Sequence, residues 1–86
     1  MISQDFIIQN KVGLHARPAS LLVKKASDFK AKIELQNGSC IANAKSILSL
    51  LSLGAAKGSK INITVEGEDE NEAMEAILKM LAEFTD

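Results

Sequence analysis

The 86-residue sequence has no tryptophan and no tyrosine, and it contains one cysteine, one proline, one histidine and one arginine. Without tryptophan and tyrosine it lacks the aromatic platforms on which many proteins stack single-stranded nucleic acid. A single arginine and a net charge of -1 also disagree with the basic stripe typical of nucleic-acid-binding domains. We therefore expect no direct interaction with DNA or RNA.

The scarcity of cysteine limits disulfides and metal sites. Cys40 has no second cysteine with which to form an internal disulfide. One cysteine and one histidine also fall short of the three or four ligands of a usual zinc site. We therefore expect no bound metal and no cofactor.

The sequence also lacks a long apolar run and a signal-like amino terminus. Its most apolar stretch, ILSLLSLGAA, is interrupted by serines and is much shorter than the roughly 18 residues that a membrane span needs. The first residues, MISQD, lack the basic and then apolar character of a signal peptide. These absences predict a cytoplasmic protein that does not insert into membranes.

At this length the chain is predicted to form a single domain, residues 1–86, around one modest core. Strand patterns occur over residues 2–9, around Ile33 and Leu35, and over residues 39–43 and 60–66. Between the second and third of these, Asn37-Gly38 is the pair best suited to a tight hairpin turn. The alternation leaves one face of each strand polar, which predicts an antiparallel sheet with one apolar face.

Three further segments have the three- and four-residue spacing of helices that bury one face. The first runs from Ala16 to about Ser27, and the second is capped by Ser46 and ended by Gly54. The third begins at a capping box formed by Asp69 and Glu72. The order βαββαβα predicts an α+β open-faced β-sandwich, in which three helices cover one face of a four-stranded antiparallel sheet.

The stretch VGLHARPAS holds the only histidine, the only arginine and the only proline of the chain. His15 stands just before the first helix, so the amides of Ala16 and Arg17 are among the unpaired donors of the first turn and would bind an anion. Pro18 suits a first-turn position, and Gly13 lets the preceding loop approach its neighbours closely. The helix dipole and the Arg17 guanidinium both disfavour a protonated imidazole, and a neutral imidazole is a nucleophile.

The chemistry that fits this cluster is phosphoryl acceptance by the histidine, with Arg17 and the helix amides holding the phosphate charge. The alternative is that His15 is an ordinary helix cap or a solvated surface residue. A Cys-His nucleophile pair is a weak hypothesis, because Cys40 falls in a strand and nothing in the sequence brings it near His15.

The stretches GLHARPAS, AKSILSLLSLGAAKG and VEGEDENEA resemble the HPr family, the histidine-containing phosphocarriers of the phosphoenolpyruvate-dependent sugar phosphotransferase system. The resemblance covers essentially the whole chain. It implies that Nδ1 of His15 accepts a phosphoryl group from enzyme I and passes it to an enzyme IIA domain, while Arg17 balances the phosphate charge. It also implies a stoichiometric carrier in sugar uptake, not an enzyme.

The resemblance further implies that Ser46, the serine of KSI, is a regulatory phosphorylation site for an HPr kinase/phosphorylase. In the Gram-positive branch the phosphoserine form binds a LacI-type repressor and mediates catabolite repression. A phosphate at a helix N-terminus would be stabilised by the dipole but would repel an acidic partner surface or an incoming phosphoryl group. A plain helix cap is the structural alternative for Ser46, and the two roles are compatible.

The second helix has more leucine than one buried face requires, and the resemblance implies that the surplus forms a docking surface for enzyme I, enzyme IIA and the kinase. The residues assigned to this surface, including its rim on the first helix, are Ala16, Ser20, Lys24, Ile47, Leu48 and Leu51. Leu50 and Leu53 are assigned to the core.

Two functional hypotheses remain open on the sequence: a sugar phosphocarrier, and a nitrogen-related or catabolite-repression paralogue that acts through phosphorylation-dependent binding. They differ in which partners read the phosphorylated protein. A monomer is the simpler expectation for either, since the protein must meet several partners in turn.

Overall fold

The protein, described by a computed structural model over residues 1–84, is an α+β open-faced sandwich with the predicted βαββαβα order. The elements are β1 (Ile2–Ile7), α1 (Ala16–Ala26), β2 (Lys32–Asn37), β3 (Cys40–Asn43), α2 (Ile47–Ser52), β4 (Lys60–Glu66) and α3 (Glu70–Glu83). Within residues 1–84 no helix is long and apolar enough to cross a membrane.

The strands form one four-stranded antiparallel sheet in the order β1-β4-β2-β3. The alternation on β4 determines the two faces of this sheet, because Ile61, Ile63 and Val65 are fully buried while Asn62 and Thr64 face the other way. The apolar face is covered by the helices, and the polar face stays open. This arrangement confirms the predicted architecture.

The helices contribute the second layer of the core. Leu22 of α1 and Leu50 of α2 are fully buried, and Leu53 is nearly so, which confirms the assignment of Leu50 and Leu53 to the core. In α3 the buried residues are Ala73, Met74, Ile77 and Leu81, while Met80 and the C-cap residue Phe84 are partly buried against the core.

The β2–β3 hairpin turns one residue later than the sequence predicted. Asn37 pairs with Cys40, so the loop consists of Gly38 and Ser39 and not of Asn37 and Gly38. Gly38 has a φ of 63°, and no residue other than glycine has a positive φ within the described chain. This is the pattern of a turn that needs glycine at its first central position only, instead of the two left-handed positions that an Asn-Gly pair would fill.

The predicted capping box at the start of α3 is wrong. Asp69 is the N-cap residue, but its side chain makes no capping hydrogen bond. Its carboxylate instead accepts the backbone N–H groups of Lys30 and Ala31, each at 2.9 Å. These bonds, first the one from Lys30, hold the pKa of Asp69 below its ordinary value of 3.8. The carboxylate thus fastens the loop before β2 to the start of α3.

Candidate functional site

His15 is the N-cap residue of α1, with an extended backbone at φ -103° and ψ -171°. Its carbonyl oxygen accepts the N–H of Ala19 at 2.9 Å and so begins the helical hydrogen-bond ladder. Its side chain, however, makes no capping hydrogen bond. The backbone of His15 therefore performs the cap's structural role, while the imidazole is not used to close the helix end.

His15 is half-buried, and the burial includes one of its ring nitrogens. Nε2 is buried and has no hydrogen-bond partner among the residues that the structure describes. A nitrogen without access to the surface cannot meet a group carried by another protein, so Nδ1 is the nitrogen left for an external reaction. This is the same atom that the sequence resemblance implies.

The loop before His15 is held against the segment that follows α2. Gly13 has a φ of 65°, and a Cβ at this position would overlap the carbonyl oxygen of Ala55 and lie 2.7 Å from Cα of Ala56. The next N–H, that of Leu14, donates to the same Ala55 oxygen at 3.0 Å. The prediction that Gly13 permits a close approach is confirmed, and its partner is the backbone at Ala55.

Asn10 is a site residue that sequence reasoning missed. It is the one buried polar residue among those described, at 5% exposure, and its Nδ2 donates to the carbonyl oxygen of Gly13 at 2.7 Å. Its own carbonyl oxygen accepts the N–H of Gly13 at 3.3 Å, which closes a turn over residues 10–13. An asparagine followed three residues later by glycine is a known β-turn signal and would have identified this turn.

The first turn of α1 carries the other residues predicted to hold a phosphate. Ala16 and Arg17 are exposed, and Pro18 is buried against the core. The first amides of a helix have no acceptor within the helix, and the helix dipole is positive at this end. With the positively charged residue Arg17 exposed on the same turn, this helix start is suited to a dianionic group next to His15.

Helix α2 presents an apolar surface beside α1, against which it packs. Leu48 is 75% exposed, whereas Leu50 in the same helix is fully buried. Ile47 and Leu51 are exposed on the same short helix. We refer to these side chains, together with the exposed residues Ala16, Ser20 and Lys24 of α1, as the α1–α2 surface.

Ser46 is the N-cap residue of α2, as predicted, and it is half-buried. Its Oγ accepts the N–H of Ser49 at 3.3 Å. Cys40 is exposed on the edge strand β3, and no group of three metal-ligating side chains occurs within residues 1–84.

Comparison with known proteins places this geometry in a family. The sequence profile described as the PTS HPr component phosphorylation site matches residues 2–83. The phosphocarrier protein HPr of Lysinibacillus sphaericus is 45% identical to the chain over 84 residues, which is 98% of this chain and 96% of the relative.

Solved structures give the same result. The crystal structure of HPr-C-His from Thermoanaerobacter tengcongensis matches with a TM-score of 0.91 and 40% identity, covering 95% of this chain and 92% of the other. Crh, the Bacillus subtilis catabolite repression containing protein, solved as a dimer with a swapping domain, matches with a TM-score of 0.78 and 36% identity over 100% of this chain and 99% of the other. The chain belongs to the HPr family, whose members are phosphocarriers of the phosphotransferase system and not enzymes.

Proposed function

We propose that His15 is the phosphoryl acceptor and donor of this chain, between enzyme I and an enzyme IIA domain in sugar uptake. The observation that carries the proposal is that the imidazole lies at the N-terminus of α1 and makes no capping hydrogen bond, while its Nε2 atom is buried. The lone pair of Nδ1 attacks the phosphorus atom of a phosphohistidine on enzyme I. A new N–P bond forms as the old one breaks, and the enzyme I imidazole leaves. A histidine of enzyme IIA then attacks the phosphorus atom on His15. The N–P bond to Nδ1 breaks, and the carrier is regenerated.

The charge of the bound phosphoryl group is held by the first turn of α1. Arg17 supplies a full positive charge, and the amides of Ala16 and Arg17 supply hydrogen-bond donors at the positive end of the helix dipole. Phosphoryl transfer needs mainly positioning and charge stabilisation, so this exposed site is sufficient once a partner's groups complete it. No cofactor or metal is required.

The partners dock on the α1–α2 surface in this proposal. An apolar patch with a polar rim is the anatomy of a transient protein interface, and Leu48 is its most exposed member. Leu48→Ala should therefore raise the apparent KM of enzyme I for the carrier, without lowering the carrier's free energy of unfolding. We place this function in the cytoplasm and assign it to a monomer that folds as one domain, residues 1–86.

Ser46 is proposed as a regulatory phosphorylation site of an HPr kinase/phosphorylase, with a LacI-type repressor as a reader of the modified form. Its Oγ already accepts a helix amide, and the oxygens of a phosphate would keep an acceptor in the same place. The added negative charge, on the helix that carries Leu48, would repel acidic partner surfaces and reduce carrier activity.

A second function is favoured by the likeness to Crh, whose name connects it with catabolite repression. In this alternative, including a nitrogen-related branch, the chain acts through phosphorylation-dependent binding to regulatory targets. The two functions are separated by the acceptor. If the chain is a sugar carrier, sugar-specific enzyme IIA domains would rapidly remove its phosphoryl group. If it is a regulatory protein, only regulatory targets would remove it.

The proposal is tested by incubating the chain with phosphoenolpyruvate and enzyme I, followed by intact mass and peptide mapping. We expect one acid-labile phosphoryl group on His15, and none on His15→Ala. Arg17→Ala should keep the acceptor but slow the transfer. An unmodified wild-type chain in the presence of an active enzyme I would contradict the proposal.

A further inference from the structure

The peptide unit between Gly13 and Leu14 is held at both of its polar atoms. Its carbonyl oxygen accepts Nδ2 of Asn10 at 2.7 Å, and its N–H donates to the carbonyl oxygen of Ala55 at 3.0 Å. The first bond is buried, and the residues around it are buried too, since Leu14 is 6% exposed and Ala55 is 5% exposed. This peptide therefore has a fixed orientation in a dry environment, where a hydrogen bond is strong.

The fixed peptide sets the direction in which the chain enters α1. One residue, Leu14, separates it from His15, whose backbone is extended and whose side chain makes no capping bond. Within the described residues, Nε2 of the imidazole makes no hydrogen bond that could orient the ring. Its placement therefore depends on packing and on the backbone before it, and the Asn10 side chain is hydrogen-bonded to this backbone.

We propose that Asn10 is a positioning residue for phosphoryl transfer, acting through the Gly13–Leu14 peptide on the direction of the His15 imidazole. The inference rests on the proposed function of His15. Asn10 does not touch the reacting atoms. Its amide does what a carboxylate cannot, because only a donor satisfies the Gly13 carbonyl oxygen.

The first test compares wild type with Asn10→Ala in transfer from phospho-enzyme I, at a temperature where both are fully folded. We expect kcat to fall about tenfold or more, since a displacement of about 1 Å at a reacting group costs on the order of 100-fold. The apparent KM should stay unchanged, because the α1–α2 surface is intact. The matched control is Asn62→Ala, which removes an asparagine hydrogen-bonded to Asp5 and Ser3 on the open face of the sheet. It should leave kcat as in wild type.

A second variant gives a readout that a loss of stability alone would not move. Asn10→Asp places a buried carboxyl group against the Gly13 carbonyl oxygen, and this group can donate only when it is protonated. The ratio of its kcat to that of wild type should rise as the pH falls from about 8 to about 5, because burial raises the pKa of a carboxyl group. For Asn10→Ala the same ratio should not change with pH.

Hydrogen exchange at the Leu14 amide reports the peptide without any phosphoryl transfer. We expect Asn10→Ala to weaken its protection, while Asn62→Ala leaves it unchanged. Equal kcat values for wild type and Asn10→Ala, with wild type phosphorylated at His15, would overturn the positioning role alone. A wild-type chain that takes no phosphoryl group from active enzyme I would overturn the function of His15 and the positioning role with it.

Discussion

Helices α1 and α2 begin in opposite ways, although each starts at a residue with a reactive side chain. Ser46 caps α2 with its own hydroxyl, which accepts the Ser49 amide. His15 starts α1 with its backbone only, and that backbone is fixed from outside by Asn10 and Ala55. A side chain that closes its own helix has a lone pair engaged in that hydrogen bond, whereas a side chain that does not cap the helix keeps its lone pairs available. The contrast shows how one small domain can hold a structural cap and the proposed nucleophile at the starts of neighbouring helices.

The largest expected effect comes from breaking the external support of α1. Gly13→Ala would place a methyl group into the Ala55 carbonyl oxygen at a left-handed φ, and we expect it to lower the free energy of unfolding by about 2 to 5 kcal/mol. Gly54→Ala is the matched control after α2, since its φ is 69° and no atom beyond its two chain neighbours lies within 4 Å of the added methyl group. It should cost about 1 to 2 kcal/mol. Equal losses in urea unfolding would mean that the contact with Ala55 does not support the loop.

The third helix sharpens the comparison, because its N-cap side chain is used elsewhere. Asp69 accepts two backbone amides from the loop before β2, and its lowered pKa means that the folded state binds the proton less tightly than the unfolded state. The carboxylate therefore stabilises the fold above pH 3.8, and this contribution is lost as the pH falls through the lowered pKa. Asp69→Asn should be less stable at pH 7 and show a shallower loss in urea unfolding below pH 4.

The control for Asp69 is Glu72→Gln, which alters the other member of the capping box that the sequence suggested. Glu72 is exposed, and its replacement should cost less than Asp69→Asn at pH 7. A larger cost at Glu72 would restore the capping box and remove the link between the loop and α3.

A smaller effect is expected at the start of α2. Ser46→Ala removes the cap and should lower the free energy of unfolding by about 1 kcal/mol. Ser46→Asp should recover most of it, because aspartate is an equally good N-cap. Ser52→Ala is the matched control. Ser52 is the exposed last residue of α2, and its hydroxyl donates to the carbonyl oxygen of Leu48 without capping the helix start. If Ser46→Ala and Ser52→Ala are equally stable in thermal unfolding, the cap contributes nothing.

The parts of the fold that depend on local pattern could be predicted from the sequence. The bounds of β4 follow from an alternation that covers the whole strand, and the starts of α1 and α2 follow from residues adjacent to them. The sequence predicts the hairpin turn one residue too early, because Asn37-Gly38 and Gly38-Ser39 are both acceptable turn pairs. The choice between them is made by packing, which buries Leu35 and Ala42 opposite each other.

The parts that depend on distant contacts could not be predicted. His15, Arg17 and Pro18 form a local cluster, so the proposed chemistry could be inferred from the sequence. The support of this cluster could not be predicted, because Ala55 follows two further helices and two strands along the chain. Asp69 shows the same limit. The local pattern predicts a cap, but its carboxylate instead accepts backbone N–H groups 38 and 39 residues away in the chain.

The smallest expected effect on stability is at His15 itself. His15→Ala should change the free energy of unfolding by less than about 0.5 kcal/mol, because no capping bond is lost and Nε2 has no partner within the described residues. The same variant should accept no phosphoryl group from enzyme I. Urea unfolding and intact mass measure the two outcomes on one sample.

This pair of outcomes separates the two ways of starting a helix. A cap and a nucleophile predict opposite results for His15→Ala, since a cap would cost stability as at Ser46 and a nucleophile would cost transfer alone. A loss of about 1 kcal/mol or more at His15 would mean that the imidazole stabilises α1 in solution and that the external support is not sufficient. An unchanged stability together with abolished transfer requires that Asn10, Gly13 and Ala55 hold the helix start, which leaves the imidazole free to react.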